Sequence, residues 1–323
     1  MGSTLDSQCW QKMLTDDQKR VRRTAIGGSE IAAVAGLDPY ATALDVWRSK
    51  VEGYEREQTP AMRRGQLLEP VIASIYAEES RVVLEESGTI RHPTRPVAVA
   101  TPDRIALWPD GRRVLEIKSA NSRMTREWGE PGTDEIPRAY LCQVLWELAC
   151  AGLERADLAV LIAGDDFRIY HLYRDVELEG LLLEKAEKFW RDHVDTKTPP
   201  PIDGSDSCDA WLAARHPRSI TSSVIESTPE AEELMWTLRG ARHAIEAAEV
   251  IESDAKNKLK ALVGDASGMI GGHGRWKISW KSQSRNSIDV DALISALGIS
   301  PETVAKYTIQ KSTRVFRPSW KDE

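Results

Sequence analysis

The apolar and polar positions of this chain switch between a period near two and a period near 3.6, and the switches mark its elements. Residues 101–121, TPDRIALWPDGRRVLEIKSAN, alternate on either side of a Pro109-Asp110-Gly111 turn, which predicts a β-hairpin. Alternation places Glu116 and Lys118 on one face of the second strand and Leu115 and Ile117 on the other, with Asp103 at the start of the first strand. Upstream, residues 61–80 carry Leu68, Ile72, Ile75 and Tyr76 at helical spacing. Pro70 falls inside that run, so the helix either starts near Glu69 or kinks there. Downstream, residues 122–136 are rich in Gly, Pro and charge and read as a loop near the hairpin.

Pro137 then opens a helix that ends at Gly152. Its Leu141, Val144, Leu145 and Leu148 form an apolar stripe, and Tyr140, Gln143 and Glu147 form the adjoining one. Two strand-like runs follow at 156–163 and 167–173 around Gly164-Asp165-Asp166, and then a helix at 177–193. This order of helix, strands, helix, strands and helix predicts an α/β or α+β domain over residues 1–195, with a mixed central sheet flanked by helices.

Prolines and small polar residues make 196–224 a predicted linker. Residues 225–323 read as a basic carboxy-terminal domain, serving DNA binding or oligomerisation. Its first helix starts at Ser227-Thr228-Pro229-Glu230 and runs to about residue 263. Leu234, Leu238, Ala241, Ile245, Ala248, Ala255, Leu259 and Leu262 recur there at spacings of four and three, broken by Glu252. At about 1.5 Å per residue it would span on the order of 50 Å as one arm, or fold as a helical hairpin at Gly240. A β-hairpin follows whose second strand alternates Arg275, Lys277, Ser279 and Lys281 with Trp276, Ile278 and Trp280. Its basic face suits DNA or plain solvent. A short helix at 290–297 and a strand at 307–316 complete the reading.

Composition narrows the classes. The chain has 323 residues, 41% hydrophobic and 29% charged, which is ordinary for a globular protein, and its formal net charge is −7. No apolar run approaches the roughly 20 residues of a membrane span, and MGSTLDSQCWQK lacks an apolar signal region, so a cytoplasmic location is expected. Cys9, Cys142, Cys150 and Cys208 show no CxxC spacing, against a zinc ribbon, an iron-sulfur cluster or a disulfide framework. Charge is uneven: residues 255–321 hold twelve Lys or Arg against four acids, which leaves room for local contact with a phosphate backbone.

Two stretches carry candidate chemistry. In the central hairpin, Asp103, Glu116 and Lys118 converge as two acids and a lysine, the arrangement of a metal site with a cation beside it, suited to cutting a phosphodiester. Oxygen ligands suit Mg²⁺ or Mn²⁺ better than zinc. Near the amino terminus, Arg22 and Arg23 precede Gly27-Gly28-Ser29 at a helix start, which can hold a phosphate group or can be an N-cap beside a surface charge cluster. No GxxxxGK[ST] phosphate loop is present, so no ATP requirement is expected.

Five segments in order, IGGSEIAAVAGLDPY, RRGQLLEP, TPDRIAL, LEIKSA and IPRAYLCQVLWEL, resemble the YqaJ-like viral recombinase family, lambda-type phage exonucleases within the PD-(D/E)XK nuclease superfamily. The resemblance covers residues 20–175. It implies that Glu69, Asp103, Glu116 and the backbone carbonyl of Ile117 are metal ligands for two Mg²⁺ ions, replaceable by Mn²⁺, and that Lys118 is the catalytic lysine. Tyr140 and Gln143 match the helix bordering the active site; the wider pattern has a tyrosine four residues after the glutamine, where Glu147 stands. Ser29 matches a hydroxyl beside the substrate 5′ phosphate and Arg22 its arginine partner, with Arg23 adjacent. The implied activity is 5′-to-3′ exonuclease action on linear double-stranded DNA, leaving 3′ single strands for recombination. The implied partners are other copies of the chain in a ring, a trimer among the options, and a single-strand annealing protein; the compartment would be the host cytoplasm for a phage gene. The rival readings are an endonuclease of the same superfamily and a non-catalytic DNA-binding module.

Overall fold

A computed structural model describes residues 16–219, 223–284 and 290–307, in two units that part between Arg215 and His216. The first unit begins with α1 (Asp16–Arg23), α2 (Gly28–Ala35) and α3 (Ala43–Trp47), the last capped by Thr42, whose side chain accepts the Asp45 N–H. Helix α4 (Pro60–Ser80) follows, capped by Thr59 and with proline at its first position. It does not start near Glu69 but runs from Pro60 through Glu69 with Pro70 inside it. Proline in a helix interior costs about 3 kcal/mol. Here Ile72, Ala73 and Tyr76 of the following turns are buried against the sheet, and that burial offsets the lost hydrogen bond.

The chain continues through β1 (Val83–Glu86), a small separate pair of β2 (Ile90–Arg91) and β3 (Val99–Ala100), and the hairpin of β4 (Arg104–Trp108) and β5 (Gly111–Ala120). The hairpin closes with Trp108 opposite Gly111, as the turn residues require. Helix α5 (Arg138–Ala151) ends at Gly152, whose φ of 63° is the left-handed C-cap geometry that favours glycine. Strands β6 (Arg155–Ile162) and β7 (Asp166–Tyr173) and helix α6 (Val176–Phe189) follow.

Five strands form one mixed sheet in the order β1-β4-β5-β6-β7. All neighbours are antiparallel except β5 and β6, which run parallel because α5 carries the chain back between them. Period two then divides the core. Val114, Leu158 and Val160 pack with Val144 and Leu148 of α5, while Leu115, Ile117 and Ala159 pack with Ile72 and Tyr76 of α4. Glu116 and Lys118 share the face of Val114 and so look toward α5.

Part of the predicted linker is structured. Residues 206–215 form α7 (Asp206–Arg215), which buries Cys208 and Trp211 in the same core as α2, α5 and α6. Trp211 meets Trp47 edge-on at 6.2 Å, and its indole N–H donates to Glu52 Oε1 at 3.2 Å. The spacing of these two apolar residues by three supplies one turn of buried helix face, which the surrounding polar composition concealed.

In the second unit, α8 (Pro229–Val263) is one unbroken 35-residue helix rather than a hairpin, with Thr228 accepting the Ala231 N–H at 3.2 Å. Gly240 has nothing within 4 Å of where a Cβ would stand and marks no bend. The hairpin of β8 (Gly268–Gly271) and β9 (Trp276–Ser279) follows, then α9 (Val290–Ala296) and α10 (Pro301–Tyr307). Gly271 lies under the Trp276 indole, where an added Cβ would come within 2.1 Å of the ring. The strand predicted over 307–316 lies, past Tyr307, outside the described residues, as does Cys9. Cys142, Cys150 and Cys208 are buried free thiols, and no described helix is long and apolar enough to cross a membrane.

Candidate active site

The sheet delivers its acids to one place. Asp103 sits just ahead of β4, and its Oδ2 accepts the backbone N–H of Ile117 at 2.9 Å, which fixes the start of one strand against the middle of the next. Glu116, one residue back on β5, is only 3% exposed. Its Oε1 accepts from Lys118 Nζ at 2.5 Å and from Gln143 Nε2 at 2.7 Å. Lys118 Nζ also donates to Gln143 Oε1 at 3.0 Å, so the three side chains close a ring of hydrogen bonds between β5 and α5.

Lys118 is held above its ordinary pKa: burial pulls the ammonium down, and the Glu116 and Asp103 carboxylates together outweigh that pull. Its Nζ stands 5.1 Å from the ring centre of Tyr140, within cation–π range. Tyr140 is stacked on Trp128 at 5.6 Å, and Trp128 packs in turn on Tyr170 at 5.4 Å. The Tyr170 hydroxyl ties this ladder to the loop by donating to the Gly129 carbonyl at 2.8 Å. The loop near the hairpin therefore contributes a buried wall, with Trp128 only 4% exposed. A lone tryptophan in a glycine- and proline-rich segment was the one available signal.

Glu147, four residues after Gln143, is buried with 1% exposure, although its stripe on α5 reads as a ligand-facing surface. Its Oε1 accepts from Gln143 Nε2 at 3.0 Å and its Oε2 has no partner. Burial, reinforced by the negative charge of Glu116, pushes its pKa well above the ordinary value.

Glu69 is contributed by α4. Gly65, one turn earlier on α4, lies over Ser119, where an added Cβ would be 3.5 Å from the Oγ, so α4 does cross the far end of β5. The Glu69 carboxylate, however, pairs with Arg104 Nη1 at 3.0 Å. Arg104 also holds Glu86 at 3.1 Å and follows Asp103 directly in sequence. Among the described residues no three His, Cys, Asp or Glu side chains are gathered closely enough to form a metal cluster. Each expected acid instead has a protein partner: Arg104 for Glu69, Lys118 for Glu116, the Ile117 N–H for Asp103. The donor chemistry nevertheless suits a hard divalent cation, since Asp103 and Glu116 both act on Lys118 and all three acids offer carboxylate oxygen.

Arg22 and Ser29 line a cleft of about 410 Å³ together with Arg23, Lys50 and Arg56. The N-cap of α2 is Gly27, with Ser29 exposed in the first turn rather than capping it. Glu30 folds back so that Gly27 N–H donates to its Oε2 at 2.7 Å. Lys50, with only 1% of its side chain exposed, donates to both Glu30 oxygens at 2.7 Å and to the Arg22 carbonyl at 2.6 Å. Lys50 thus joins the end of α1 to the start of α2 and holds Arg22 beside Ser29. Tyr140 lies at the lysine and is not among the residues lining this cleft. The two regions are connected, since Gly28 packs on Glu147 and Gln143 of α5.

The succession α4, β1, β4, β5, α5, β6 builds a mixed α/β core that carries an acid ahead of β4 and Glu-x-Lys on β5. Residues 17–154 match the family profile described as "YqaJ-like viral recombinase domain". The chain is also 28% identical over 302 residues to the uncharacterized protein YqaJ of Bacillus subtilis (strain 168), covering 92% of each chain. Solved structures with similarity include the alkaline exonuclease LHK-Exo from Laribacter hongkongensis, at 21% identity and a TM-score of 0.47 over 62% of this chain and 99% of that one. A phage-related exonuclease from Haemophilus somnus 129PT aligns at 14% identity and a TM-score of 0.40, over 55% and 99%.

Proposed function

We propose that this protein is a divalent-metal-dependent exonuclease that enters linear double-stranded DNA at a 5′ end and leaves a 3′ single strand for recombination by annealing. The observation that carries the reading is the closed ring of Glu116, Lys118 and Gln143 beside Asp103, seated through α5 and Gly28 on the helix that bears Ser29.

Glu69, Asp103, Glu116 and the Ile117 carbonyl would hold Mg²⁺ or Mn²⁺, two ions by family resemblance, which supply Lewis-acid polarisation of the phosphate and a more acidic water. The raised pKa of Lys118 keeps it charged at neutral pH. That suits it to stabilising negative charge in the transition state and to orienting water by donation. Gln143 fixes the lysine and Glu116 relative to each other, and the Trp128–Tyr140 stack shields one side of the ammonium from solvent. Arg22 and Ser29 offer a guanidinium and a hydroxyl for a terminal 5′ phosphate. Ring assembly of several copies and delivery of product to a single-strand annealing protein belong to the same proposal by family resemblance.

The test uses linear duplex with and without a 5′ phosphate, closed circular duplex, and end-labelled product mapping, with Mg²⁺, Mn²⁺ or chelator. Degradation of linear 5′-phosphorylated duplex from the 5′ ends, dependent on metal, is the expected result. Cutting of closed circles would replace the reading with an endonuclease, and no cleavage under any metal would replace it with a binding module.

A further inference from the structure

Within the second unit, helix α8 leaves its apolar seam uncovered by the described residues. Leu234, Ile245, Leu259 and Leu262 are 62%, 57%, 37% and 71% exposed. They fall in a heptad pattern sustained across the helix, with residues 238, 245, 252 and 259 in one core position and 234, 241, 248, 255 and 262 in the other. A seam of this kind is stable in water only against another helix.

The charges identify that helix. Along α8 the sign changes in four blocks: Glu230, Glu232 and Glu233; then Arg239 and Arg242; then Glu246, Glu249, Glu252 and Asp254; then Lys256, Lys258 and Lys260, of which Lys256 and Lys258 also pair along the helix with Glu252 and Asp254. Reversing the helix end for end lays each block on one of opposite sign. Laying it parallel on itself sets acid on acid and lysine on lysine. Self-complementarity under a two-fold axis is what a pairing of identical chains demands, because every contact between two different positions occurs twice.

The seam independently selects the same alignment. Antiparallel helices pair their two core positions crosswise, so Leu234 meets Leu259 and Ile245 meets Ala248 of the second copy. In that register Glu252, the one polar seam residue, which pairs with Lys256 of its own helix at 2.6 Å, faces Ala241 of the second copy, a small residue whose neighbour is Arg242. Arg242 in turn falls opposite Glu249 of the second copy. We infer that α8 is a self-docking surface which pairs two copies of this chain as an antiparallel coiled coil. The inference does not depend on the nuclease reading or on a ring formed by nuclease domains.

Multi-angle light scattering on the full chain tests it with two charge-reversed variants, Lys256→Glu/Lys258→Glu/Lys260→Glu and Glu230→Lys/Glu232→Lys/Glu233→Lys. The native chain should have a mass that is an even multiple of 36.1 kDa, each variant alone about half of that, and an equimolar mixture of the two the native mass again. A native mass of one chain or an odd multiple overturns the proposal, as does a variant that keeps the native mass or a mixture that stays at half. Should circular dichroism show helix loss in a triple variant, Ile245→Lys, which leaves both charged ends native, takes its place. Half the native mass then supports the pairing and full mass overturns it.

Discussion

Gly28 and Glu147 stand so close that a Cβ on the glycine would lie 3.0 Å from Glu147 Oε1 and 3.3 Å from its Cγ. The first residue of α2 is therefore pressed onto the helix that holds Gln143, with Ser29 as its next neighbour in sequence. A methyl group there can be admitted only by shifting α2 or the Glu147 side chain. Gly28→Ala should cost about 1–3 kcal/mol in urea unfolding, the usual range for overpacking a tight contact. Cleavage should fall more than unfolding predicts, because Gln143 shares the contact.

Glu147 itself gives a pH signature. Its folded pKa is raised by burial and by Glu116, while in the unfolded chain it returns to near 4.5. Above the unfolded value the folded state binds the extra proton, so this group's contribution to stability is full below about pH 4.5 and is lost as pH climbs toward the folded pKa. Glu147→Gln can still accept from Gln143 and removes that loss. Its stability relative to the native chain should rise between pH 5 and pH 8, by about 1.4 kcal/mol for each tenfold change in proton affinity. A stability difference independent of pH, measured by urea titration, would refute the burial argument.

At the centre, Lys118→Ala should lower cleavage at least about 10²-fold, the scale for removing one preorganised electrostatic group. Glu116→Ala should abolish it. Neither substitution touches the apolar core, so circular dichroism should remain native. Full nuclease activity in either purified variant would remove these residues from the chemistry.

Much of this centre was legible beforehand, for a reason rooted in local geometry. Period two put Glu116 and Lys118 on one strand face, and Pro137 and Gly152 bounded the helix carrying Gln143, all from neighbours in sequence. What escaped depends on partners far along the chain. The burial of Glu147 needs α2 to lie across α5, and nothing near Glu147 announces that. The pairing of Glu69 with Arg104 likewise joins residues 35 positions apart on different elements. Residues 206–215 read as linker because a ten-residue helix that buries only two side chains, Cys208 and Trp211, is outvoted by its polar composition. At Pro70 the sequence offered a start or a kink, and the helix begins ten residues earlier at Pro60 and carries the proline inside it, supported by tertiary burial.

At the other end of the connection, Arg22→Ala and Ser29→Ala should each reduce the preference for a 5′-phosphorylated over a 5′-hydroxyl end while leaving the slow rate on the hydroxyl end unchanged. Competition between the two labelled substrates measures this directly. Equal loss on both ends would assign the cleft to structure alone.

Lys50 should prove more sensitive than either. Lys50→Ala leaves the Glu30 carboxylate without its buried cation and frees the Arg22 carbonyl, and should cost roughly 3 kcal/mol, the scale for breaking a buried ion pair. The loss should appear as a lower urea midpoint with an unchanged slope.

The amide of Gln143 has one orientation only. Its nitrogen faces two carboxylates, Glu116 and Glu147, and its oxygen faces an ammonium, so rotating the group by half a turn would set like poles against each other on all three sides. The residue works as a polarised spacer that keeps two acids apart and points one of them at the lysine. A glutamate of the same shape at this position would add a third acid where the only hydrogen-bond donor between the other two now stands, which makes the smallest change in outline here one of the largest in chemistry.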